Sequence, residues 1–186
     1  MSIIQDVFKP IYGRPCWQVE QGYGSFLTFE FGEPRLRIRE PRQATAQASE
    51  SVRKRAARRH VYVRGDWHLW IYLCNWKIFL HGQEETNHRS SQRAIKKALA
   101  ELNGEALVQV KVDESLITTF EFDFGGKLEC IPNRKAYRKD ADLWLLYEPS
   151  EYVFTLRADG QYRHMPGNTE PDKHIWQPLD NLEVVD

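Results

Sequence analysis

The segment QVEQGYGSFLTFEF, residues 18–31, recurs in similar form as QVKVDESLITTFEF, residues 109–122. Six of the 14 positions are identical, including the closing Thr-Phe-Glu-Phe of both copies. Because side chains alternate across a β-strand, the phenylalanines of each copy share one face and the threonine and glutamate share the other. The two strings therefore predict two equivalent strands, one in each half of the chain.

The segments that follow the two strings are also alike. A turn comes next, Gly32-Glu33-Pro34 in the first copy and Gly125-Gly126 in the second, and a second alternating strand follows it. Paired glycines between alternating strands are typical of a tight hairpin, since both central positions can adopt positive φ. Further strands are expected at 67–72 and 76–80 in the first half, and at 143–147 and 152–156 in the second.

These patterns predict an α+β fold that is mainly antiparallel β. We expect a single domain, 1–186, in which two similar β-meander halves, about 15–82 and 105–165, pack with pseudo-twofold symmetry. The alternative is that two similar strand patterns arose independently. Residues 67–79 are apolar on both faces, which indicates one central strand covered on both sides.

Strand alternation also assigns the core. We expect one apolar face in each copy, formed by Leu27, Phe29 and Phe31 in the first and by Phe120, Phe122 and Phe124 in the second. The carboxylates Glu30, Glu121 and Asp123 fall on the opposite faces. Paired carboxylates can perform acid and base chemistry, but on an outer strand face we expect them to be solvated.

One helix is clear from the sequence, at about 90–102. Its apolar residues form a stripe opposite charged residues, and Asn103-Gly104 follows as a stop signal. The stretch 43–59 has helix-forming residues without an apolar stripe, so we expect a mobile connector or a loosely held helix. Residues 166–186 are expected to be an irregular tail anchored by Ile175 and Trp176.

Composition limits the class of protein. Of 186 residues, 41% are hydrophobic and 12% aromatic, too many for a disordered chain, and charges interrupt every stretch that could span a membrane. The first residues lack the pattern of a secretory signal, so we expect a cytoplasmic protein. The three cysteines, Cys16, Cys74 and Cys130, are interpreted as reduced core residues.

The charge is unevenly distributed although its sum is zero. Residues 1–100 hold 17 Lys/Arg against 9 Asp/Glu, and residues 101–186 hold the reverse. The basic run 52–64 is the candidate surface for an acidic protein partner, and the candidate partner-binding residues are Arg53, Arg55, Arg58, Arg59 and Tyr62. Nucleic-acid binding through the same run, a solvated face, and pairing with the acidic half remain alternatives.

No motif in the sequence carries recognisable catalytic chemistry. Asp123-Phe124-Gly125 lacks the other elements of a kinase, and the six histidines form no short-spaced pair that would indicate a metal site. His68 and Cys74 lie too far apart along a regular strand to form a hydrogen bond. We therefore expect no catalytic residues, no metal and no cofactor.

The segments WHLWIYLCNW, 67–76, and FDFGGKL, 122–128, resemble uncharacterised small β-rich bacterial proteins, some of which are similar to the immunity proteins of polymorphic toxin systems. The resemblance covers about residues 15–165 and rests on strand and turn patterns. It implies a non-enzymatic module that binds a protein by electrostatic and shape complementarity, such as an immunity or inhibitor protein. The alternatives are a small enzyme whose site assembles from loops, and a weak nucleic-acid binder using 52–64.

Overall fold

The computed structural model describes residues 2–179. Within that range the helices are α1 (Ile3–Phe8), α2 (Glu50–Ala56) and α3 (Gln92–Leu102), with 3-10 turns at Lys9–Ile11 and Pro171–Lys173. The strands of the first half are β1 (Cys16–Gln21), β2 (Leu27–Phe31), β3 (Arg35–Arg39), β4 (His60–Arg64), β5 (Trp67–Ile71), β6 (Cys74–Leu80) and β7 (Gln83–Asn87). Those of the second are β8 (Leu107–Val112), β9 (Thr118–Phe122), β10 (Lys127–Pro132), β11 (Asp142–Tyr147), β12 (Tyr152–Arg157), β13 (Gln161–Pro166) and β14 (Gln177–Pro178).

The strands form three open sheets. A seven-stranded sheet has the order β1-β2-β5-β11-β12-β13-β14, a five-stranded sheet has the order β7-β6-β10-β9-β8, and β3 pairs with β4 alone. The pairings between these strands are antiparallel. The prediction of a mainly antiparallel β fold is confirmed, but the described residues contain three α-helices where only one was clear from the sequence. Helix α2 lies within the stretch 43–59, for which a loosely held helix was one alternative, and α1 was not expected.

The two halves exchange strands between the large sheets. In the first half β1, β2 and β5 lie in one sheet, and β6 and β7 lie in the other; in the second half β8, β9 and β10 lie together, and β11 and β12 cross over. The strands at 67–71 and 142–147, each of which carries tryptophan, lie side by side in one sheet and do not occupy equivalent positions in the two halves. In the first half β2 pairs with β5, and in the second half β9 pairs with β10. The strand that directly follows β2, the arginine-rich β3, is not in the sheet and pairs with β4.

Residues 67–79 belong to two strands, so the strands expected at 67–72 and 76–80 are confirmed and the single central strand is wrong. The chain turns at Tyr72 and Leu73, whose backbone N–H groups donate to the carbonyl oxygens of Leu143 and Asp142 at 2.8 and 3.0 Å. Strand β5 then pairs with β11 in one sheet, and β6 pairs with β10 in the other. The apolar pattern on both faces results from the chain passing between two sheets that share one core.

Aromatic side chains join the two large sheets face to face. Phe29 of β2 stacks on Phe122 of β9 at 6.2 Å between ring centroids, and Phe120 meets the edge of Trp144 at 5.9 Å. Phe8 of α1 contacts both Phe120 and Trp144. The predicted core faces are confirmed for five of the six positions.

Phe124 is the exception among the expected core residues. It is 73% exposed, because β9 ends at Phe122 and the chain has already entered the turn that leads to β10. Strand alternation cannot extend beyond the last paired residue of a strand.

The helix predicted at 90–102 is confirmed as α3. Ser91 caps it, since its Oγ accepts from the backbone N–H of Ala94 at 3.3 Å, and the chain leaves it at Gly104 with a φ of +105°. Its apolar face lies against β1 and β7, while α1 lies against β8. The helices therefore cover edge strands of the two sheets.

The C-terminal segment is more ordered than we expected. Strand β14 pairs with β13, and the ring centroid of Trp176 lies 4.3 Å from the guanidinium carbon of Arg157. Leu179 is buried, whereas Ile175 is exposed, so the predicted anchor is wrong for Ile175. The rest of the predicted tail, 180–186, lies outside the described residues.

The indole of Trp144 is fixed by one hydrogen bond in the core, from Nε1 to Oγ1 of Thr118 at 2.9 Å. We expect Thr118→Val to lower the free energy of unfolding by about 1–3 kcal/mol, because a buried donor loses its acceptor. In a Trp144→Phe background the same substitution should cost less, since phenylalanine has no donor. Urea unfolding of the four variants measures both costs, and equal costs would contradict the pairing.

The cysteines Cys16, Cys74 and Cys130 are all buried and free. Burial raises the pKa of the Cys16 thiol to about 12, and it also raises the pKa of Cys130. Near pH 8 an exposed thiol of pKa ~8.5 is partly ionised, so we expect the folded protein to resist alkylation that the unfolded protein undergoes. Intact-mass measurement after iodoacetamide treatment checks this, and rapid labelling of the folded chain would refute it.

Candidate functional site

An arm projects from the seven-stranded sheet between β2 and β5. It comprises residues 33–64, with β3 and β4 as a two-stranded ribbon and α2 in the connection between them. The ribbon register pairs Leu36 with Val63 and Ile38 with Val61. We call this segment the basic arm.

The arm is attached to the sheet through Gly65 and Asp66. A Cβ at Gly65 would lie 2.4 Å from the carbonyl oxygen of Phe31, so only glycine fits where the chain re-enters the sheet. Asp66 accepts a hydrogen bond from the backbone N–H of Glu33 at 3.2 Å and forms an ion pair with Arg35. The hydrogen bond from Arg35 is the main reason that the pKa of Asp66 is lowered.

One face of the ribbon presents apolar side chains to solvent. Leu36, Ile38, Val61 and Val63 are 65%, 56%, 52% and 41% exposed. They share a face because they are two residues apart on each strand and opposite each other across the ribbon. A cluster of exposed branched side chains on a projecting ribbon is typical of an interaction surface.

The positive charge of the first half is concentrated in this arm. Residues 33–64 contain ten Lys/Arg and three Glu, a net charge of +7. The ion pairs that the arm forms are local: Arg35 with Asp66, Lys54 with Glu50, and Arg59 with Glu40. Within residues 2–179, no ion pair joins the arm to the acidic second half, so its charge is available to a partner.

The predicted partner-binding residues separate into two groups. Arg53 and Arg55 lie on α2, and Arg58 and Arg59 follow it, all four exposed. The Nε of Arg53 donates to the carbonyl oxygen of Ala48 at 3.0 Å, and Arg59 is paired with Glu40. Tyr62 is half-buried on the polar face of the ribbon, away from the apolar face.

The polar face of the ribbon lies over a cavity of about 390 Å³. The arm contributes Arg37, Tyr62 and Arg64 to this cavity, and the outer face of the seven-stranded sheet contributes His68 and Tyr147. A second cavity of about 350 Å³ shares Arg64, His68 and Tyr147 and is otherwise lined largely by aromatic residues, among them Tyr23, Phe26 and Trp70. We call the two together the arm cavity.

The buried side chain of His68 lines both parts of the arm cavity, and it contacts a buried carboxylate. Nδ1 of His68 is 2.7 Å from Oε1 of Glu30, and Oε2 of Glu30 accepts from the backbone N–H of Gly65 at 2.9 Å. The expectation that Glu30 is solvated is therefore wrong, because the arm and His68 cover it. Its counterpart in the second copy, Glu121, is partly exposed and lies 3.7 Å from Lys111.

Arg64 and Tyr147 form the boundary between the two cavities. The guanidinium carbon of Arg64 lies 5.6 Å from the ring centroid of Tyr62 and 5.8 Å from that of Tyr147. Burial raises the pKa of the Tyr147 phenol, and the charge of Arg64 opposes that shift. The Tyr147 hydroxyl is therefore a neutral hydrogen-bonding group near neutral pH.

Sequence reasoning missed the apolar face and the arm cavity. The signal for the ribbon was present in Arg-Leu-Arg-Ile-Arg, 35–39, and His-Val-Tyr-Val-Arg, 60–64, two alternating strings of equal length. The cavity had no such signal, because Tyr23, Tyr62 and Tyr147 come from segments that are distant in sequence.

No three His, Cys, Asp or Glu residues of the described range converge in a geometry that could hold a metal ion. None of the helices within residues 2–179 is long and apolar enough to cross a membrane. The chain matches no protein-family model, and searches of curated proteins and solved structures found no similar protein.

Replacing Glu30 tests its role at the root of the arm. We expect Glu30→Leu to lower the free energy of unfolding by about 2–4 kcal/mol, since the N–H of Gly65 and Nδ1 of His68 each lose an acceptor in a buried position. Glu121→Leu is the matched control, and we expect a change of only about 0.5 kcal/mol. Equal effects in urea unfolding would contradict a special role for Glu30.

Proposed function

We propose that the protein is a non-enzymatic binding module that docks an acidic protein partner on the basic arm. The observation that supports this is the combination of an exposed apolar ribbon face with a net charge of +7 on the same projecting segment. Protein interfaces typically combine a desolvated apolar centre with a charged rim, and opposite charge accelerates association.

The apolar face favours a protein over a nucleic acid as the occupant. Leu36, Ile38, Val61 and Val63 offer no hydrogen bond to a phosphate, and they would gain most from burial against other apolar side chains. A basic two-stranded ribbon can also enter the major groove of DNA, so a nucleic-acid partner is the alternative that the experiment must separate. Steep loss of binding with salt and sensitivity to nuclease would identify it.

The biological role that we propose is that of an immunity or inhibitor protein. The resemblance of 67–76 and 122–128 to small β-rich bacterial proteins supports this role, as does the charge complementarity that the arm offers. The three buried free thiols support a reducing compartment, and so we propose the cytoplasm as its location.

We further propose that the two halves are related by a pseudo-twofold axis. The support is the strand order: β1-β2-β5-β11-β12 in one sheet corresponds to β8-β9-β10-β6-β7 in the other. The axis would relate the β5–β11 pair to the β10–β6 pair. The basic arm would then be an insertion in the first half, which explains why it has no counterpart in the second.

The experiment is co-purification from the natural host followed by competition between variants. Arg55→Glu/Arg58→Glu should abolish capture of a stoichiometric acidic protein, and Leu36→Ser/Ile38→Ser should weaken capture by about tenfold or more, since buried branched side chains are lost from the interface. The matched control is Arg134→Glu/Lys135→Glu, which makes the same charge change on exposed residues of another loop.

We expect the melting temperatures of these variants to stay close to that of the unmodified protein, because the altered side chains are exposed. Capture that is equally reduced by the control would indicate a nonspecific charge effect. Capture that survives both arm variants would contradict docking on this surface, as would self-association of the purified chain through the apolar face.

A small enzyme is the second candidate, and one observation favours it. Glu30 holds the imidazole of His68 by Nδ1 beside the arm cavity, which is how a general base is commonly oriented. Turnover of a cavity ligand that is lost in His68→Gln, while binding of the ligand persists, would favour this candidate over the binding module.

A further inference from the structure

The arm cavity contains charged, polar and aromatic side chains that do not take part in the docking of a protein on the apolar face of the ribbon. The two parts of the cavity meet at Arg64, His68 and Tyr147, and together they run from the cationic underside of the arm to an aromatic area on the sheet. Along its length, a site of this kind presents first a positive charge, then a hydrogen-bonding group and then flat apolar surfaces.

The cationic end of the cavity contains Arg37 and Arg64. Within residues 2–179, neither has a carboxylate oxygen close enough to form an ion pair, although Asp66, Glu148 and Glu151 lie on the wall of the same cavity. Asp66 forms its ion pair with Arg35. Oε1 of Glu148 contacts Nε2 of His164 at 2.6 Å. A half-buried arginine without a carboxylate partner is suited to a ligand anion, above all a phosphate, which guanidinium binds in a bidentate manner.

The other end of the cavity offers aromatic side chains. Tyr23 is exposed at its rim, and Phe26 lies 5.9 Å from Trp70 and 4.6 Å from Tyr72 between ring centroids. A heteroaromatic ring gains stacking energy on such surfaces without needing a specific hydrogen bond.

His68 supplies a hydrogen-bonding group between the two ends. An ionised Glu30 can only accept, so Nδ1 of His68 donates to it, and in a neutral imidazole the remaining nitrogen, Nε2, is an acceptor. No hydrogen bond to Nε2 is formed by the described residues, and the ring lines both cavities. The hydroxyl of a sugar is a donor that would satisfy it.

From this order of groups we propose that the arm cavity binds a nucleoside monophosphate. The base stacks among Tyr23, Phe26 and Trp70, a ribose hydroxyl donates to Nε2 of His68, and the phosphate binds Arg64 and Arg37. The ligand would rest against the underside of the arm, while the apolar face of the ribbon stays free for the partner.

Isothermal titration with AMP, GMP, CMP and UMP tests the site, with the matching nucleosides and inorganic phosphate as partial ligands. We expect at least one monophosphate to bind about tenfold or more tightly than its nucleoside, because charge-assisted hydrogen bonds to the phosphate are added. Arg64→Gln should remove that difference, and Trp70→Leu should weaken the nucleoside and the monophosphate alike.

Two controls keep this result separate from partner docking. Arg134→Gln removes an exposed arginine far along the chain and should leave nucleotide affinity unchanged, and Arg55→Glu/Arg58→Glu should also retain it while losing the protein partner. Should Arg64→Gln fail to fold, the exposed Arg37→Gln tests the same end of the cavity. Absence of binding by all four monophosphates, or affinity that is indifferent to both arginine variants, would overturn the proposal.

Discussion

Burial of two apolar sheet faces against each other is the constraint on which the rest of this structure depends. The central pairings of the two large sheets, β5 with β11 and β10 with β6, each join a strand of the first half to a strand of the second. Neither half can complete a sheet alone, and the aromatic contacts of Phe29 with Phe122 cross between them. The core therefore forms only when both halves are present.

The basic arm follows from this arrangement. The connection between β2 and β5 begins and ends at one end of these two strands, outside the core, so its sequence does not have to fill the core. Arginines alternate with apolar residues in β3, and such a strand cannot be buried on both faces at the centre of a sheet. It pairs with β4 instead, and its apolar side chains remain exposed to solvent.

The arm also creates the cavity beneath it. Glu30 would face solvent on an uncovered sheet, as its counterpart Glu121 partly does, but the re-entry of the chain at Gly65 brings a backbone N–H to its carboxylate. The carboxylate then fixes one nitrogen of His68, whose side chain lines the cavity. The arm thus presents an outward apolar surface and an inward polar face, with Tyr62 and the arginines of the ribbon on the inner side.

Local pattern in the sequence was sufficient for the elements whose periodicity matches their burial. The alternation in 18–31 and 109–122 determined two equivalent strands and the inward direction of their phenylalanines, and the apolar stripe at 90–102 determined α3, because side-chain direction follows from backbone geometry alone.

The partner of each strand was decided only by the tertiary structure. Residues 35–39 alternate and residues 67–71 are apolar on both faces, and either segment could form a strand beside β2. The need to fill a shared core without burying arginine selects β5. The burial of Glu30, the turn at Tyr72 and the arm cavity depend in the same way on contacts between segments distant in sequence, and no local pattern encodes such contacts.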